Sequence, residues 1–336
     1  MKSAGRLRAL GTHADPLLSV RDLRTELTSE EGVVQAVSGV SFDLYPGEVL
    51  AIVGESGCGK TMTALSILGL LPRGSGRVVA GEVRLDGEDL LAASPRRMRQ
   101  IRGAEIAMIF QEPLTALNPV HRVGDQIAEM IRTHRPVRRS EARRRAAGLL
   151  DQVGIPDAAR RARSYPHELS GGMRQRAMIA MAIALEPAVL IADEPTTALD
   201  ATVQAQVLDV LAEVRRSLSG GMVLITHDLG VVAEMADRVA VMYAGRTVEH
   251  GSVYDVYERP RHPYTAGLLA AVPRVDGTTD RLRAIAGTPP ALIGLPVGCS
   301  FAPRCPMATE ICPQVHPQLV GFTGESGHGA VACHHA

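Results

Sequence analysis

An α/β fold built on a mainly parallel sheet is what this sequence predicts, and three observations predict it. Short, nearly unbroken apolar runs recur at 49–53, 105–110, 188–192, 222–226 and 239–243, as expected of strands buried on both faces. Segments of helical period fall between them. The first run enters a glycine-rich loop that opens a helix, and alternating strands and helices make a parallel sheet covered by helices.

The elements follow in order. Residues 1–16 read as a loose polar tail. Leu17 to Leu27 and Val33 to Leu44 show the partial alternation of strands, and Pro46-Gly47 marks a turn. Val49 to Val53 is a buried strand, and a helix is expected from about Lys60 to Leu70. Glu105 to Phe110 is a further short strand. From about 122 to 186 the pattern is helical, with Arg138, Arg139, Arg143, Arg144 and Arg145 read as a solvated helix face. Strands Ala188 to Ala192, Met222 to Thr226 and Val239 to Tyr243 complete the sheet. After about residue 252 proline becomes dense, and four of the five cysteines lie between 299 and 333. This divides the chain into a tail (1–16), one large domain (17–252, with a helical subdomain at about 112–186) and a C-terminal extension (253–336).

Composition narrows the function. Thirty-six Lys and Arg balance 36 Asp and Glu, aromatics are 3% and tryptophan is absent, so no nucleic-acid partner is expected. Residues 1–16 lack the apolar run of a signal peptide, and no stretch of about 18 apolar residues exists. The chain is expected to be soluble, with any membrane role supplied through a partner. The only lysines are Lys2 and Lys60. Lys60 thus stands where a compact point charge is wanted in a chain that otherwise uses arginine.

Gly54-Glu55-Ser56-Gly57-Cys58-Gly59-Lys60-Thr61 fits G-x-x-x-x-G-K-[ST] between a strand and a helix. Glycines let the backbone curl so that N–H groups face phosphate oxygens. Lys60 is expected to reach the β- and γ-phosphates of ATP, and Thr61 to ligate Mg²⁺. The helix N-terminus adds a favourable dipole. A mere glycine turn is the bland alternative, and the strand–loop–helix context argues against it. Cys58 is either a small residue that fits the loop or a thiol whose pKa is lowered by the helix N-terminus.

Val189 to Ala192 runs apolar into Asp193-Glu194-Pro195. A rigid strand end would hold Asp193 near Mg²⁺ and place Glu194 to polarise an attacking water. Gln111, after the strand ending at Phe110, is placed to touch Mg²⁺ and that water. His227 ends the strand Leu224-Ile225-Thr226 and is read as a γ-phosphate contact.

Leu169-Ser170-Gly171-Gly172-Met173-Arg174-Gln175-Arg176 resembles the signature motif of ABC transporter ATPases, and the order phosphate loop, Gln111, signature, Asp193-Glu194, Ala198-Leu199-Asp200, His227 matches that family. The resemblance covers about residues 17–252. It implies a P-loop ABC-type nucleotide-binding domain with a helical signature subdomain and a Cys-containing C-terminal extension. It also implies two such domains paired head to tail: Ser170, Gly171, Gly172 and Gln175 of one chain would close on ATP held by another, and Asp200 would be the D-loop acid. Two features depart from the family. Met173 stands where glutamine is more usual, and residues 24–37 hold no aromatic for the adenine. Val33 and Val34 are the apolar residues available there.

Gln111 to Val120, Tyr165-Pro166-His167-Glu168, Arg261-His262-Pro263-Tyr264-Thr265 through Leu268-Leu269, and Gly298-Cys299 to Arg304-Cys305-Pro306 are similar to the oligopeptide and dipeptide permease ATPases. The resemblance implies an importer with a second, usually different ATPase subunit, two transmembrane permease subunits and an extracytoplasmic solute-binding protein, this chain lying peripherally on the cytoplasmic face of the cell membrane. Nickel or another small solute is an alternative cargo for such relatives. A soluble ABC-type ATPase acting on nucleic acid or ribosomes, and a non-hydrolysing module, are the rivals of other classes. The first lacks its fused second domain here, and intact Glu194 speaks against the second. Cys299, Cys305, Cys312 and Cys333 form no C-x-x-C pair, unlike a zinc ribbon. Their spacing alone leaves unbonded thiols, a soft metal or a cluster open. The subfamily resemblance implies a [4Fe–4S] cluster on these four, with Zn²⁺ or no metal as alternatives.

Overall fold

The computed structural model describes residues 15–197, 199–272 and 285–336. Most of the expected N-terminal tail (1–14) and Ala198 of the D-loop motif lie outside the described residues.

Two sheets carry the fold. The first is antiparallel, in the order β2-β1-β4-β5, from β1 (Leu18–Ser29), β2 (Gly32–Leu44), β4 (Gly76–Leu85) and β5 (Glu88–Asp89). The second has the order β11-β12-β10-β9-β3-β8-β7-β6, with β10 at Arg246–Ser252, β11 at Val320–Thr323 and β12 at His328–Val331. Its parallel centre comprises β3 (Val49–Val53), β6 (Ile106–Ile109), β7 (Val189–Asp193), β8 (Gly221–Thr226) and β9 (Arg238–Tyr243). β3, β6, β7 and β8 are buried along their whole length, because helices and the antiparallel sheet cover both faces, and the unbroken apolar runs follow from that. Register then places the strand ends. Val53 stands opposite Thr226, Asp193 opposite Ile225, and Ala192 opposite Ile109. The residues after β3, β6, β7 and β8 therefore emerge along one edge, where open α/β sheets bind ligands.

Helices Val123–His134, Arg139–Gln152 and Gly171–Ala182 form the expected helical segment. Ile127, Ile131, Ala142, Ala146, Leu150 and Ala177 are fully or almost fully buried in one shared core. The arginines at 138, 139 and 143–145 are exposed; Arg143 pairs with Asp125 at 2.7 Å and Arg145 with Glu141 at 2.5 Å, surface contacts contributing about 0–1 kcal/mol each.

The extension after residue 252 is built into the domain instead of hanging from it. β11 (Val320–Thr323) and β12 (His328–Val331) form a hairpin, and β12 pairs with β10 (Arg246–Ser252) at Glu249↔Val331 and His250↔Ala330. The hairpin covers what would be an open edge of the central sheet. Leu292 and Ile293 do the same for β2: the Gln35 N–H donates to the Leu292 carbonyl at 2.8 Å, and Val34 bridges Ile293. Between these anchors lies an aromatic layer of Tyr243, Tyr264 and Phe301, each no more than 2% exposed, with ring centroids 4.6–5.4 Å apart. Burying such a side chain is worth about 1.5–3 kcal/mol. Among the described residues no helix is long and apolar enough to cross a membrane.

His262 seats the extension. Its Nδ1 accepts the Tyr264 N–H at 3.0 Å, capping the helix Pro263–Ala270, while its own N–H and that of Arg261 donate to the buried Glu249 carboxylate. Burial pushes the His262 pKa down to about 4. A histidine depressed below its unfolded value stabilises the fold above about pH 6.5, and that contribution is lost as pH falls towards 4, because only the unfolded chain takes up the proton. The loss from this one ring reaches roughly 3 kcal/mol. Asparagine keeps a capping acceptor without the titration. Urea unfolding at pH 7 and pH 4.5 should therefore show a smaller acid loss for His262→Asn than for the parent chain; equal losses would contradict the assignment.

Candidate nucleotide site

The phosphate loop leaves β3 and closes on the helix Lys60–Ile67. Gly54 (φ 156°) and Gly59 (φ 103°) are required by close approach: a Cβ at Gly54 would lie 2.2 Å from the Met242 carbonyl oxygen, and one at Gly59 2.2 Å from that of Ala36. Gly57 has φ 78° with open space around it, so backbone conformation alone favours glycine there. Lys60 is 5% exposed. Its Nζ donates to the Gly54 and Glu55 carbonyls at 2.9 and 3.1 Å and stands 3.9 Å from Glu194 Oε1.

Thr61 Oγ1 donates to Asp193 Oδ1 at 3.2 Å. Asp193 is 1% exposed, and burial raises its pKa to about 6, with the Glu194 charge adding to the rise and the Thr61 hydrogen bond opposing it. Two adjoining carboxylates against one ammonium leave the site short of positive charge. A hard cation with oxygen ligands fits that deficit, and Thr61 and Asp193 are the oxygens already brought together.

Glu194 is the meeting point. Its Oε2 accepts from Gln111 Nε2 at 3.1 Å and Thr197 Oγ1 at 2.9 Å, and lies 3.5 Å from His227 Nδ1. Its φ of 45° is left-handed, a conformation costing about 1–3 kcal/mol for a non-glycine residue and held only where the surroundings over-determine it. The His227 side chain is 60% exposed, whereas that of Glu194 is 13% exposed. Thr197 was not legible as a partner, since a threonine in a loop carries no signal until Glu194 turns back towards it.

The signature residues separate. Ser170 caps the helix Gly171–Ala182, accepting from the Met173 N–H at 3.3 Å, and Ser170 and Gly171 are exposed. Gly172 is buried against Val203, and a Cβ there would meet Val203 Cγ1 at 2.4 Å. Gln175, grouped with them from sequence, is turned inward: it is 2% exposed and its amide nitrogen has no partner, so it is not on the surface a second chain would meet. Among the described residues no hydrogen bond or ion pair joins 170–175 to 54–61. Asp200 caps the helix Ala201–Ser217 through the Thr202 and Val203 N–H groups.

Burial decides between the two readings of Cys58, and among the described residues the expected cluster ligands are not gathered. Cys58 is 6% exposed within the apolar core, and burial pushes its thiol pKa up, so desolvation outweighs the helix terminus. Cys299, Cys305, Cys312 and Cys333 line one small cavity together with His262, Phe301, His334 and His335. Yet among the described residues no group of three or more His, Cys, Asp or Glu is gathered to hold a metal ion. The structure thus does not support a formed iron–sulfur site. Of the two apolar residues available for an adenine contact, Val33 is 44% exposed, while Val34 is bridged to Ile293 of the extension.

The ABC transporter family matches residues 37–197, and the family described as the oligopeptide/dipeptide transporter C-terminal region matches residues 248–312. The dipeptide transport ATP-binding protein DppD of Bacillus subtilis is 52% identical over 319 residues, which are 95% of this chain and 94% of that one. The chain belongs to the ATP-binding subunits of the oligopeptide/dipeptide ABC transporter family. The oligopeptide transport ATP-binding protein OppD of Mycobacterium tuberculosis is 53% identical over 307 residues, 91% of this chain but 50% of that longer one. A dimeric post-hydrolysis structure of the ATP-binding cassette MJ0796 with ADP and Pi superposes with TM-score 0.62 at 26% identity, covering 70% of this chain and 98% of that one. The fold is that of an ABC ATPase cassette. The chain is accordingly an ATPase of this class, using ATP with Mg²⁺.

Proposed function

We propose that this ATPase powers an importer of oligopeptides or dipeptides from the cytoplasmic face of the membrane. The observation that carries the catalytic part is the convergence of Lys60, Gln111, Thr197 and His227 on Glu194, beside the Thr61–Asp193 pair. The cargo rests on the names of the relatives and on the matched C-terminal region.

Residues 54–61 hold the ATP phosphates, with Lys60 at the β- and γ-phosphates. Thr61 and Asp193, with Gln111, hold Mg²⁺, which when bound neutralises phosphate charge. Glu194 accepts a proton from a water whose oxygen attacks the γ-phosphorus in line, and the bond to the ADP oxygen breaks. Gln111 and Thr197 fix the Glu194 carboxylate, and His227 senses the γ-phosphate. Catalysis is mostly positioning and charge. Ser170 and Gly171, exposed at a helix N-terminus, complete a site on a second chain, and MJ0796 offers a dimeric precedent. The partner is a second, different ATPase subunit, and the assembly includes two permease subunits and an extracytoplasmic binding protein.

The four tail cysteines are read as ligands of a [4Fe–4S] cluster. The reading rests on the subfamily resemblance and on the one cavity the four cysteines line, although no metal-holding group is gathered among the described residues. Anaerobically purified protein should then be brown, with absorbance near about 400 nm and roughly four irons per chain. Stoichiometric zinc, or no metal, contradicts the cluster.

For the main reading, the purified complex should hydrolyse ATP faster when peptide-loaded binding protein is added. Glu194→Gln should lower that turnover by at least about 10²-fold, the scale of a lost general base, with ATP binding retained. Near-parental turnover in the variant, or no response to peptide, would overturn the corresponding half of the proposal.

A further inference from the structure

The C-terminal extension reaches the phosphate loop at one residue, Glu55, from two directions. Arg304 grips the Glu55 carboxylate with both arms of its guanidinium, Nη1 to Oε2 at 2.7 Å and Nη2 to Oε1 at 2.9 Å. The Arg304 side chain is 5% exposed. It is itself fixed: Nε donates to the Ala286 carbonyl at 3.0 Å, and Nη1 also donates to Tyr243 Oη at 3.2 Å. From the other side, the Glu55 backbone N–H donates to Tyr264 Oη at 2.8 Å, in a ring that is fully buried.

The second contact is chemically telling. A phosphate loop works by turning its backbone N–H groups to the anion, and here one of them is committed to the extension. That commitment fixes where the backbone turns between Gly54 and Gly57, both at positive φ. Both contacts rest on the same aromatic layer. The Arg304 guanidinium lies 5.8 Å from the Tyr243 ring centre and 5.9 Å from that of Phe301, and Phe301 also lines the cysteine cavity. A loop rich in glycine loses much conformational freedom when ordered. Ordering it before the ligand arrives removes that cost from binding.

We infer that Arg304 and Tyr264 are positioning residues for nucleotide binding: the C-terminal extension holds the phosphate loop at Glu55 in the shape that receives the ATP phosphates, without touching ATP itself. Anything that loosens the layer around Phe301, the cysteine cavity included, is then felt at the loop through these contacts. The inference rests on the assignment of residues 54–61 as the ATP phosphate loop, and Lys60→Ala separates the two. If Lys60→Ala binds nucleotide normally, the assignment fails; if it loses binding while the extension variants do not, only the inference fails.

Three variants of the full chain test it. Arg304→Gln removes the charge and the fork, Arg304→Lys keeps the charge and loses the fork, and Tyr264→Phe keeps the ring and loses the acceptor. Affinities for Mg²⁺ with ADP and with a non-hydrolysable ATP analogue are measured by calorimetry, alongside thermal midpoints and amide hydrogen exchange of the peptide containing 54–60. The Kd should rise roughly tenfold in Arg304→Gln, as expected for losing a charged hydrogen-bonded pair, and less in Arg304→Lys. Tyr264→Phe should raise Kd severalfold and speed exchange in the loop while the thermal midpoint stays within a few degrees. If Arg304→Gln does not fold, the other two variants decide. Kd values within about twofold of the parent chain in folded variants would overturn the inference, as would a lowered midpoint in Tyr264→Phe with unchanged affinity and loop exchange.

Discussion

Thr61 and Asp193 are 132 residues apart, yet a 3.2 Å hydrogen bond joins them, and the site is organised around that bond. It is possible because β3, β8 and β7 lie side by side in parallel, with Val53 opposite Thr226 and Asp193 opposite Ile225. A one-residue slip of β7 would turn Asp193 to the other face and carry Glu194 away from Lys60. The wholly buried strands forbid the slip, since every residue of β3, β7 and β8 is packed on both faces. Burial that holds the register also raises the Asp193 pKa to about 6. The desolvation that destabilises an isolated carboxylate makes a cation welcome beside it.

A second constraint acts on the loop. Gly54 and Gly59 let the backbone pass within a Cβ of Met242 and Ala36, but the same freedom leaves the loop without a preferred shape of its own. The extension supplies one by holding Glu55 through Arg304 and Tyr264. It also closes the outer edges of both sheets, at β10 and at β2. The C-terminal region is therefore a structural part of the nucleotide domain.

Legibility in the sequence followed the range of the interactions. The glycine-rich loop between β3 and its helix, the strand ending at Asp193 and the strand before His227 each span about ten residues or fewer, and as structural elements all three were readable. So was β3, whose bounds at Val49 and Val53 match the apolar run; the first helix ends at Ile67, three residues short of the expected Leu70. Long-range pairing was not readable. β12 joining β10 across some 80 residues, and Arg304 meeting Glu55 across 249 positions, leave no local pattern. A boundary near residue 252 followed from proline density, whereas Ser252 caps the next helix, Val253–Glu258, and the chain returns to the sheet. Gln175 was grouped with its exposed neighbours because a motif does not say which way a helix faces. Cys58 was open to two readings because burial, which decides its thiol, is a property of the fold.

As proposed above, the Thr61 hydroxyl and the Asp193 carboxylate together would hold the metal that ATP hydrolysis needs. The Mg²⁺ dependence of ATPase activity in the assembled complex, compared for Thr61→Ser and Thr61→Val, tests this most directly. Serine keeps the hydroxyl, and valine keeps the shape without it. Thr61→Ser should keep a near-parental Mg²⁺ requirement, and Thr61→Val should raise it by roughly tenfold or more, the scale of losing one hydrogen-bonding or coordinating group beside a charge. The same Mg²⁺ dependence for both variants would contradict that proposal.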